Sequence, residues 1–450
     1  MKRWAITVIA VFLLSAFPLL LIESPVFARV TAIAAVCLYL WISEATPPFV
    51  PTLLLAALVP LALGMTDPTY SLGSVMSWAV DPVMALFFGG FTLGVATQEF
   101  GLDKKLARFA FRSAGRSFPV FLLLIILITA FLSMWLSNIG AAALIFACLR
   151  PVLSEFSDDH LMRRSLLIGV ALGADLGGIA TPIGTGPNAI AIAYLAPTAH
   201  VSFVNWMSFA LPLTLGMLLL GYGVLWWRTR SMSTSWTKRD GKFTELFSEP
   251  DDAISINGQR ALLVILSMTV LLWLTEPFHK IPSAVIAICS AGVVFLTGLL
   301  KKRDLLRIDW PTLLLIAGGI TLGRLFEHSG IIRSLAQDIP FSQLDPRMSL
   351  FILCIASALL ASLMSNTATA VLLIPLASAL IPNPSTAILV AVSASFGIPF
   401  MISTPQNAMA FGEGGVRFGD MFWPGILLMV VGCIIVSLSG PAILNFAGIP

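Results

Sequence analysis

The chain has 450 residues, of which 58% are hydrophobic and only 11% charged, and its net charge is +3. A soluble domain carries roughly 25% charged residues, so this composition excludes a soluble protein and predicts a polytopic membrane protein. The five cysteines lie in apolar segments without paired spacing, which indicates small buried side chains rather than a disulfide framework or a zinc site.

The N-terminus reads Met1-Lys2-Arg3 and then an apolar stretch, 4–22, which resembles a signal peptide with a cleavage site near Ala28. The stretch is longer than the apolar region of a usual signal peptide, and many more apolar segments follow it. We therefore expect an uncleaved first spanning helix.

Eleven segments have the apolar length that a spanning helix needs, about 20 residues. They are 4–22, 28–43, 49–66, 82–101, 165–195, 207–227, 260–276, 281–300, 311–327, 385–411 and 423–446.

Two further apolar runs, 118–149 and 349–381, are too long for one crossing, at about 48 Å each if fully helical. A Ser-Asn pair interrupts each run, at Ser137 in the first and Ser365 in the second. Irregular backbone at membrane depth is tolerated only inside protein or along a watery cavity. Each run is therefore predicted to be a re-entrant hairpin of two half-helices.

Basic residues cluster beside the first hairpin, after the sixth span and after the eighth span. They are Lys104, Lys105, Arg108, Arg112, Arg116, Arg150, Arg163, Arg164, Arg228, Arg230, Lys238, Arg239, Lys242, Lys301, Lys302, Arg303 and Arg307. If both hairpins are re-entrant and the N-terminus is cytoplasmic, all these clusters are cytoplasmic, as the positive-inside rule expects. The connections 67–81, 196–206 and 382–384 contain no Lys or Arg and fall outside. This scheme has an external C-terminus.

The chain contains two similar halves. Residues 87–94 (Phe-Phe-Gly-Gly-Phe-Thr-Leu-Gly) match 316–323 (Ile-Ala-Gly-Gly-Ile-Thr-Leu-Gly), and the loop 181–188 matches 403–407 in its Thr-Pro and Asn residues. Close helix packing alone explains the Gly-Gly pairs. By the charge pattern, the first hairpin enters from the cytoplasm and the second from outside, so the repeats are inverted, as in many secondary transporters.

Four parts are predicted on this basis. They are N-terminal scaffold helices 1–81, a first repeat 82–227, a cytoplasmic loop with linking helices 228–310, and a second repeat 311–450. An amphipathic segment follows the Gly-Gly pair in each repeat, 101–116 and 330–339. The first is predicted to be an interfacial helix with its basic side chains toward the lipid headgroups rather than a nucleic-acid site.

The polar breaks offer ligands for ions. The start of a helix attracts anions through its dipole and its free N–H groups, whereas freed carbonyls and Ser, Thr and Asn oxygens suit a small cation such as Na⁺. A lone Ser-Asn pair in a membrane helix usually joins helices by hydrogen bonds. Paired breaks in matching repeats favour a central anion site between two cation sites.

Asp175 is an acid inside the fifth predicted span, six residues before Thr181. An intramembrane carboxylate is costly and by default points to function. Three roles are open: a helix-end residue reached by water, an ion or proton ligand, or a partner of a basic residue. We hypothesise that Asp175 supplies charge to the first cation site or titrates during transport.

The motifs resemble those of the divalent anion:sodium symporter family, which transports dicarboxylates, citrate or sulfate. Residues 365–370 (Ser-Asn-Thr-Ala-Thr-Ala) with 372–375 (Leu-Leu-Ile-Pro) resemble its second Ser-Asn-Thr signature. Residues 177–188 and 404–407 resemble its two Thr-Pro-Pro-Asn loops. The likeness in span order covers nearly the whole chain.

The resemblance implies a homodimer in which a transport domain moves like an elevator against a scaffold, with two Na⁺ sites beside the substrate. The first Na⁺ site would use Ser133, Ser137, Asn138 and Gly184. The second would use backbone oxygens near Ala361, Met364, Asn366 and Ser403. The substrate would contact Asn138, Asn366, Thr367, Thr185 and Pro405. Further candidates for coupling are Asp175, Asn188, Thr404 and Asn407.

Four positions depart from the family pattern. Ile139 stands where the first tip usually has Thr, which removes one hydroxyl that would contact a carboxylate. Gly186 and Gln406 replace loop prolines, and Asp175 stands where a small or neutral polar residue is expected.

The sequence thus predicts an all-α membrane protein with eleven spans and two re-entrant hairpins. It would be a secondary transporter that couples a small di- or tricarboxylate to Na⁺, with protons as a second coupling ion to consider. We place it in the inner membrane of a bacterium, with lipid and a second copy as partners and no nucleic acid. The alternatives are an anion exchanger, a carrier of sulfate or another inorganic anion, or an ion channel. No nucleophile–base arrangement favours an enzyme.

Overall fold

The computed structural model describes residues 2–43, 45–47, 49–102, 105, 117–230, 256–331, 334 and 344–449. These residues form α-helices with short 3₁₀ and π turns and contain no β-strand. The predicted all-α class is therefore confirmed.

The helices are numbered here in chain order. The first half contains α1 (Lys2–Leu21), α2 (Pro25–Ser43), α3 (Val50–Val59), α4 (Leu72–Ala79), α5 (Pro82–Glu99), α6 (Phe118–Ser133), α7 (Asn138–Leu153), α8 (Leu161–Gly177), α9 (Gly186–Leu195) and α10 (Phe203–Thr229). The second half contains α11 (Ile256–Leu274), α12 (Glu276–His279), α13 (Ser283–Leu296), α14 (Trp310–Ser329), α15 (Pro346–Leu363), α16 (Asn366–Leu380), α17 (Pro384–Ala394), α18 (Pro405–Gly412) and α19 (Phe418–Phe446).

Several helices begin at a proline that follows a capping residue. Asp81 precedes Pro82 at the start of α5, and Asp345 precedes Pro346 at the start of α15. Each carboxylate accepts a hydrogen bond from an amide of the first turn at 2.9 Å. Because proline has no N–H to satisfy and an acid caps the free amides, these sequences set where the helices start.

Both long apolar runs are divided at their Ser-Asn pairs. In the first run α6 ends at Ser133 and α7 begins at Asn138, and in the second α15 ends at Leu363 and α16 begins at Asn366. The two helices of each run pack against one another as a helical hairpin. That each hairpin enters and leaves the membrane on the same side stays a prediction.

The broken spans of the two repeats interlock. The predicted span 165–195 is divided into α8 and α9, and the span 385–411 into α17 and α18. The first helix of each pair, α8 or α17, packs on the hairpin of its own repeat. The second helix crosses over: α9 packs on α16 and α17, whereas α18 packs on α7 and α8. This exchange brings the breaks of both repeats together.

The count of eleven crossings is not confirmed. Among the described residues, α10, α11, α15 and α19 are long and apolar enough to cross a membrane, and the bent pair α4–α5 makes a fifth. The breaks shorten the two predicted spans named above, and other predicted spans contain apolar helices of 10–17 residues.

Ion pairs join segments that the charge pattern places on the same side of the membrane. Arg164 contacts Asp420 at 2.9 Å, and Arg228 contacts the same carboxylate, so predicted cytoplasmic ends of α8, α10 and α19 meet. His200 contacts Glu276 at 3.2 Å, which joins two predicted external segments. Which side of the membrane these ends face stays a prediction.

Some predictions fall outside the described residues. These are most of the amphipathic segments 101–116 and 330–339, and residues 231–255 of the predicted cytoplasmic loop within 228–310. The division into four parts also stays a prediction.

Candidate functional site

All four breaks end in the start of a helix. Ser137 caps α7 through the Gly140 amide at 3.1 Å, Ser365 caps α16 at 3.4 Å, and Thr404 caps α18 at 3.3 Å. Thr185 precedes α9 but makes no side-chain cap hydrogen bond. Free amides at helix starts attract negative charge, and the Thr185 hydroxyl is not used as a cap, so this break has a hydroxyl and amides that a ligand can contact.

Asn188 and Asn407 hold the two loops in the same way. Asn188 Nδ2 donates to the carbonyl oxygens nine and seven residues earlier, of Ile179 at 3.4 Å and Thr181 at 2.8 Å. Asn407 Nδ2 donates to the carbonyls nine and seven residues before it, at 3.0 and 3.1 Å. These carbonyls follow the ends of α8 and α17, so each Asn donates hydrogen bonds where the regular helical pattern stops, and the Ile179 carbonyl also accepts from Trp206 Nε1 at 3.0 Å. The Asn of each motif therefore fixes the shape of its loop.

Oxygen atoms of the first predicted cation site converge on Gly178. A Cβ atom built there would lie 2.6 Å from Asn138 Oδ1 and 3.0 Å from the Gly184 carbonyl oxygen. Ser133 Oγ lies 2.7 Å from Asn138 Oδ1 and 2.7 Å from the Ala174 carbonyl oxygen. A hydroxyl has one proton and donates to one of these two at a time, so Asn138 Oδ1 has capacity left for a cation. The donor set fits Na⁺.

The second predicted cation site is less tightly assembled. Asn366 Oδ1 is buried and has no hydrogen-bond partner in the described part of the chain, which fits a cation ligand. Ala361 packs under Gly397, since a Cβ atom built on Gly397 would lie 2.7 Å from the Ala361 carbonyl carbon. Met364 is extended at the tip, and Ser403 Oγ donates within its own loop at 2.6 Å.

Asp175 is tied to the loop of the other repeat. Its side chain is 2% exposed and accepts hydrogen bonds from Gln406 Nε2 and, at 3.4 Å, from Thr404 Oγ1. The preceding residue, Ala174, is the one whose carbonyl lies against Ser133. Asp175 therefore lies between the first cation cluster and the second loop. Whether it serves the first cation site stays a prediction.

The first loop and the second hairpin tip meet at Gly186. A Cβ atom built there would lie 2.3 Å from Thr367 Oγ1, so the glycine leaves room for the Thr367 side chain. The contact places Thr367 beside Thr185, and both were predicted to bind substrate.

Exposure separates the two predicted groups only in part, because Asn138 and Asn366 belong to both groups. Asn138, Thr185, Asn366 and Thr367 are half-buried and Pro405 is exposed, whereas the cation candidates Ser133, Gly184, Ala361 and Ser403 are buried. The other two cation candidates, Ser137 and Met364, are half-buried. The arrangement suits a substrate reached from water above cations held deeper in the protein.

Sequence reasoning missed several contacts. Gln406 and Thr181 were not among the site residues, yet Gln406 binds Asp175, and Thr181 Oγ1 donates to the Met134 carbonyl of the first tip at 2.6 Å. Thr181 was already marked by its Thr-Pro motif. The Gln406 contact spans 231 residues, so no local pattern predicts it.

A family model described as a citrate transporter matches residues 38–387, which is more than half of the chain. The chain belongs to the citrate transporter family. The resemblance to divalent anion:sodium symporters is thereby confirmed, and the protein is a multi-pass membrane transporter rather than an enzyme.

Three relatives illustrate which transporters this chain is similar to in sequence. An uncharacterized transporter of Haemophilus influenzae is 30% identical, with 91% of this chain and 90% of that protein covered. The sodium-dependent dicarboxylate transporter SdcS of Staphylococcus aureus is 24% identical, with 90% and 84% covered. The inorganic phosphate transporter PHO87 of Saccharomyces cerevisiae is 30% identical, but the match covers 79% of this chain and only 39% of PHO87.

Among solved structures, the YdaH transporter of Alcanivorax borkumensis has a similar fold, with a TM-score of 0.60. It covers 87% of this chain and 98% of its own, at 14% sequence identity. At this low sequence identity, the similarity shows a shared fold and carries no conclusion about function.

Proposed function

We propose that this citrate transporter family member is a secondary active carrier that couples a small di- or tricarboxylate anion to Na⁺. The observation that carries this proposal is the interlock of the two broken spans. Because α9 packs on the second hairpin and α18 on the first, four helix starts and their polar residues converge in one region.

Anion binding follows from the half-buried part of the site. Thr185 and Thr367 offer hydroxyls, and the starts of α7, α9 and α16 offer amide N–H groups with a favourable dipole. No Lys or Arg lies in the segments that form the breaks, 133–138, 178–188, 363–369 and 395–407. A substrate with two or three carboxylates therefore needs positive charge from another source.

Sodium supplies that charge. Asn138 Oδ1, Ser133 Oγ and the Gly184 carbonyl would hold one ion, and the unpartnered Asn366 Oδ1 would contribute to the second. A bound Na⁺ neutralises substrate charge, and its gradient supplies the free energy of uptake. The sodium-dependent relative SdcS supports this choice of ion.

For the transport cycle we propose an elevator-type movement in a homodimer, with both hairpins re-entrant. The N-terminus is cytoplasmic, the C-terminus is external, and the membrane is a bacterial inner membrane. The ion pairs of Arg164 and Arg228 with Asp420 support the same-side placement of the segments that they join.

A second candidate substrate is inorganic phosphate or another inorganic anion such as sulfate, carried by symport or exchange. The similarity to PHO87 favours phosphate. Hydroxyls and helix starts bind phosphate as well as carboxylate, so the site chemistry alone favours neither. An ion channel is the alternative of a different class, and a channel needs a continuous polar lining rather than converging breaks.

The test is a thermal-unfolding screen of the purified full chain against citrate, succinate, phosphate and sulfate, each with and without Na⁺. Ligands that bind the folded state raise its unfolding temperature. We expect Na⁺-dependent stabilisation by di- or tricarboxylates and its loss in Asn366→Ala. The half-buried Ser439→Ala on α19 is the control.

Proteoliposome uptake of the stabilising anion separates the remaining classes. A carrier shows faster uptake of labelled anion when the vesicles contain the unlabelled anion, and a channel does not. Stabilisation by phosphate alone would replace the carboxylate proposal with the second candidate. No response to any of the four anions in Na⁺ contradicts both.

A further inference from the structure

The buried carboxylate of Asp175 lies between the two repeats and has no cationic partner among the described residues. In the described part of the chain, its hydrogen-bond partners are neutral, Thr404 and Gln406. An isolated carboxylate buried in a protein is strongly unfavourable, and it is neutralised by a cation or by a proton. The surroundings of Asp175 decide between these two.

The charged residues on the elements packed around Asp175 form ion pairs with one another or with other residues. Of the elements packed on α8, α6, α18 and the 3₁₀ turn Gly178–Ala180 contain no ionisable residue. The ionisable residues on the remaining packed helices are Cys148 and Arg150 on α7, Tyr222 and Arg228 on α10, and Asp420 and Cys433 on α19. Besides Asp175, α8 itself carries Arg163 and Arg164. Arg150 pairs with Glu413, Arg163 with Asp158, and Arg164 and Arg228 with Asp420. Arg164, the nearer arginine on α8, is about 16 Å away along the helix axis.

Gln406 can serve both charge states of this acid. As the residues lie, its Nε2 donates to the carboxylate, and its Oε1 is buried without a hydrogen-bond partner among the described residues. Rotation of the amide by 180° presents Oε1, which accepts a hydrogen bond from a protonated carboxyl. The Gln406 amide can therefore keep one hydrogen bond to Asp175 whether the carboxyl group is charged or protonated.

A change of charge at Asp175 reaches both repeats. On one side its side chain holds the second loop through Gln406, a residue 231 positions away. On the other side, the adjacent Ala174 carbonyl lies 2.7 Å from Ser133 Oγ, which also contacts Asn138. The acid therefore connects the first predicted cation cluster with the loop of the opposite repeat. Gln406 and Asp175, two departures from the family pattern, contact one another.

We propose that Asp175 takes up and releases one proton in each transport cycle, with Gln406 as the partner of both charge states. The carboxylate takes H⁺ from water on one side of the membrane to give the neutral acid, and it returns H⁺ to water on the other side. No electrons move. This inference rests on the proposed function, because it adds a proton to a cation-coupled carrier.

The first test needs no substrate. The unfolding temperature of the purified full chain is measured from about pH 5 to about pH 9 for wild type, Asp175→Asn and Asp345→Asn. Asp345 is an exposed helix cap that Asn replaces well, so its variant is the matched acid-to-amide control. As the pH rises, wild type should lose stability relative to Asp175→Asn, because the folded state binds more protons than the unfolded state. A difference that is constant with pH overturns the proposal, even if no transported anion has been found.

The second test uses proteoliposomes and labelled citrate, succinate or inorganic phosphate, each separately. Wild type should accumulate an anion when only an inward pH gradient is imposed. Asp175→Asn should lose this uptake but keep exchange of labelled for unlabelled anion at equal pH and equal Na⁺. If the variant loses sodium-driven uptake and keeps pH-driven uptake, Asp175 is a Na⁺ ligand and the proposal is wrong. Loss of exchange in a folded variant also overturns it.

The third test addresses Gln406. Gln406→Leu removes the donor to the carboxylate and the acceptor of the protonated acid, and the charge-assisted bond is the stronger of the two. The pH at which uptake is half-maximal should therefore move upward. An unchanged pH profile in a folded variant removes Gln406 from the mechanism.

Discussion

The loops of the two repeats are alike in their backbone supports and unlike in their side chains. Asn188 and Asn407 each donate to carbonyls nine and seven residues earlier, so the same device shapes both loops. The tips differ, since Ile139 is 46% exposed in the first, whereas Thr367 packs against Gly186 in the second. The shared residues therefore support the shape of both loops, whereas a role of the unlike residues in selectivity and coupling stays a prediction.

The largest effect should come from breaking what the loops share. Asn188→Ala and Asn407→Ala each remove at least two hydrogen bonds to loop carbonyls, at a cost of about 0.5–1.5 kcal/mol for each bond. Each variant should lose transport and unfold at a clearly lower temperature, as measured by thermal unfolding and uptake. If one of the two variants is as stable and as active as wild type, its Asn does not support its loop, and the two loops are not held in the same way.

A smaller effect should come from the contact that joins the loop of one repeat to the tip of the other. Gly186→Ala places a Cβ atom 2.3 Å from Thr367 Oγ1 and 2.9 Å from its Cγ2, and such overpacking costs about 1–3 kcal/mol. Thermal unfolding should show this loss, and Thr367→Ala in the same chain should restore part of it. Gly216→Ala is the matched control, because nothing lies within 4 Å of its built Cβ atom. If Gly186→Ala is as stable as Gly216→Ala, the close contact between Gly186 and Thr367 is wrong.

Sequence patterns predicted the parts of the site that are encoded locally. The helix starts at Asn138 and Asn366 follow directly from Ser-Asn breaks inside long apolar runs, because a Ser side chain caps a helix wherever the run is interrupted. The paired Thr-Pro and Asn residues likewise predicted two loops in matching places. Two matching halves, each with a divided apolar run and a broken span, follow from these local signals, whereas the inversion of the halves stays a prediction.

The contacts between repeats could not be predicted in the same way. Asp175 and Gln406 are 231 residues apart, and the pair forms only because α18 crosses to pack on α8. The sequence shows that Gly186 replaces a loop proline. The glycine leaves the space that Thr367 needs, and this contact depends on how the second hairpin packs. Long-range packing determines these contacts, and spacing along one chain carries no record of it.

The smallest effect should come from making the tips alike. Ile139→Thr places a hydroxyl at the exposed start of α7, where the second tip has Thr367. One added hydrogen bond contributes about 0.5–1.5 kcal/mol, so affinity for a C4-dicarboxylate such as succinate should rise by roughly two- to tenfold. Competition of succinate against labelled anion in proteoliposomes measures this change, and Ile139→Val controls for lost apolar volume. Because the side chain is half exposed, the unfolding temperature without ligand should not change. If succinate affinity stays the same while both variants fold, the first tip does not contact the substrate, and the asymmetry between tips has another role.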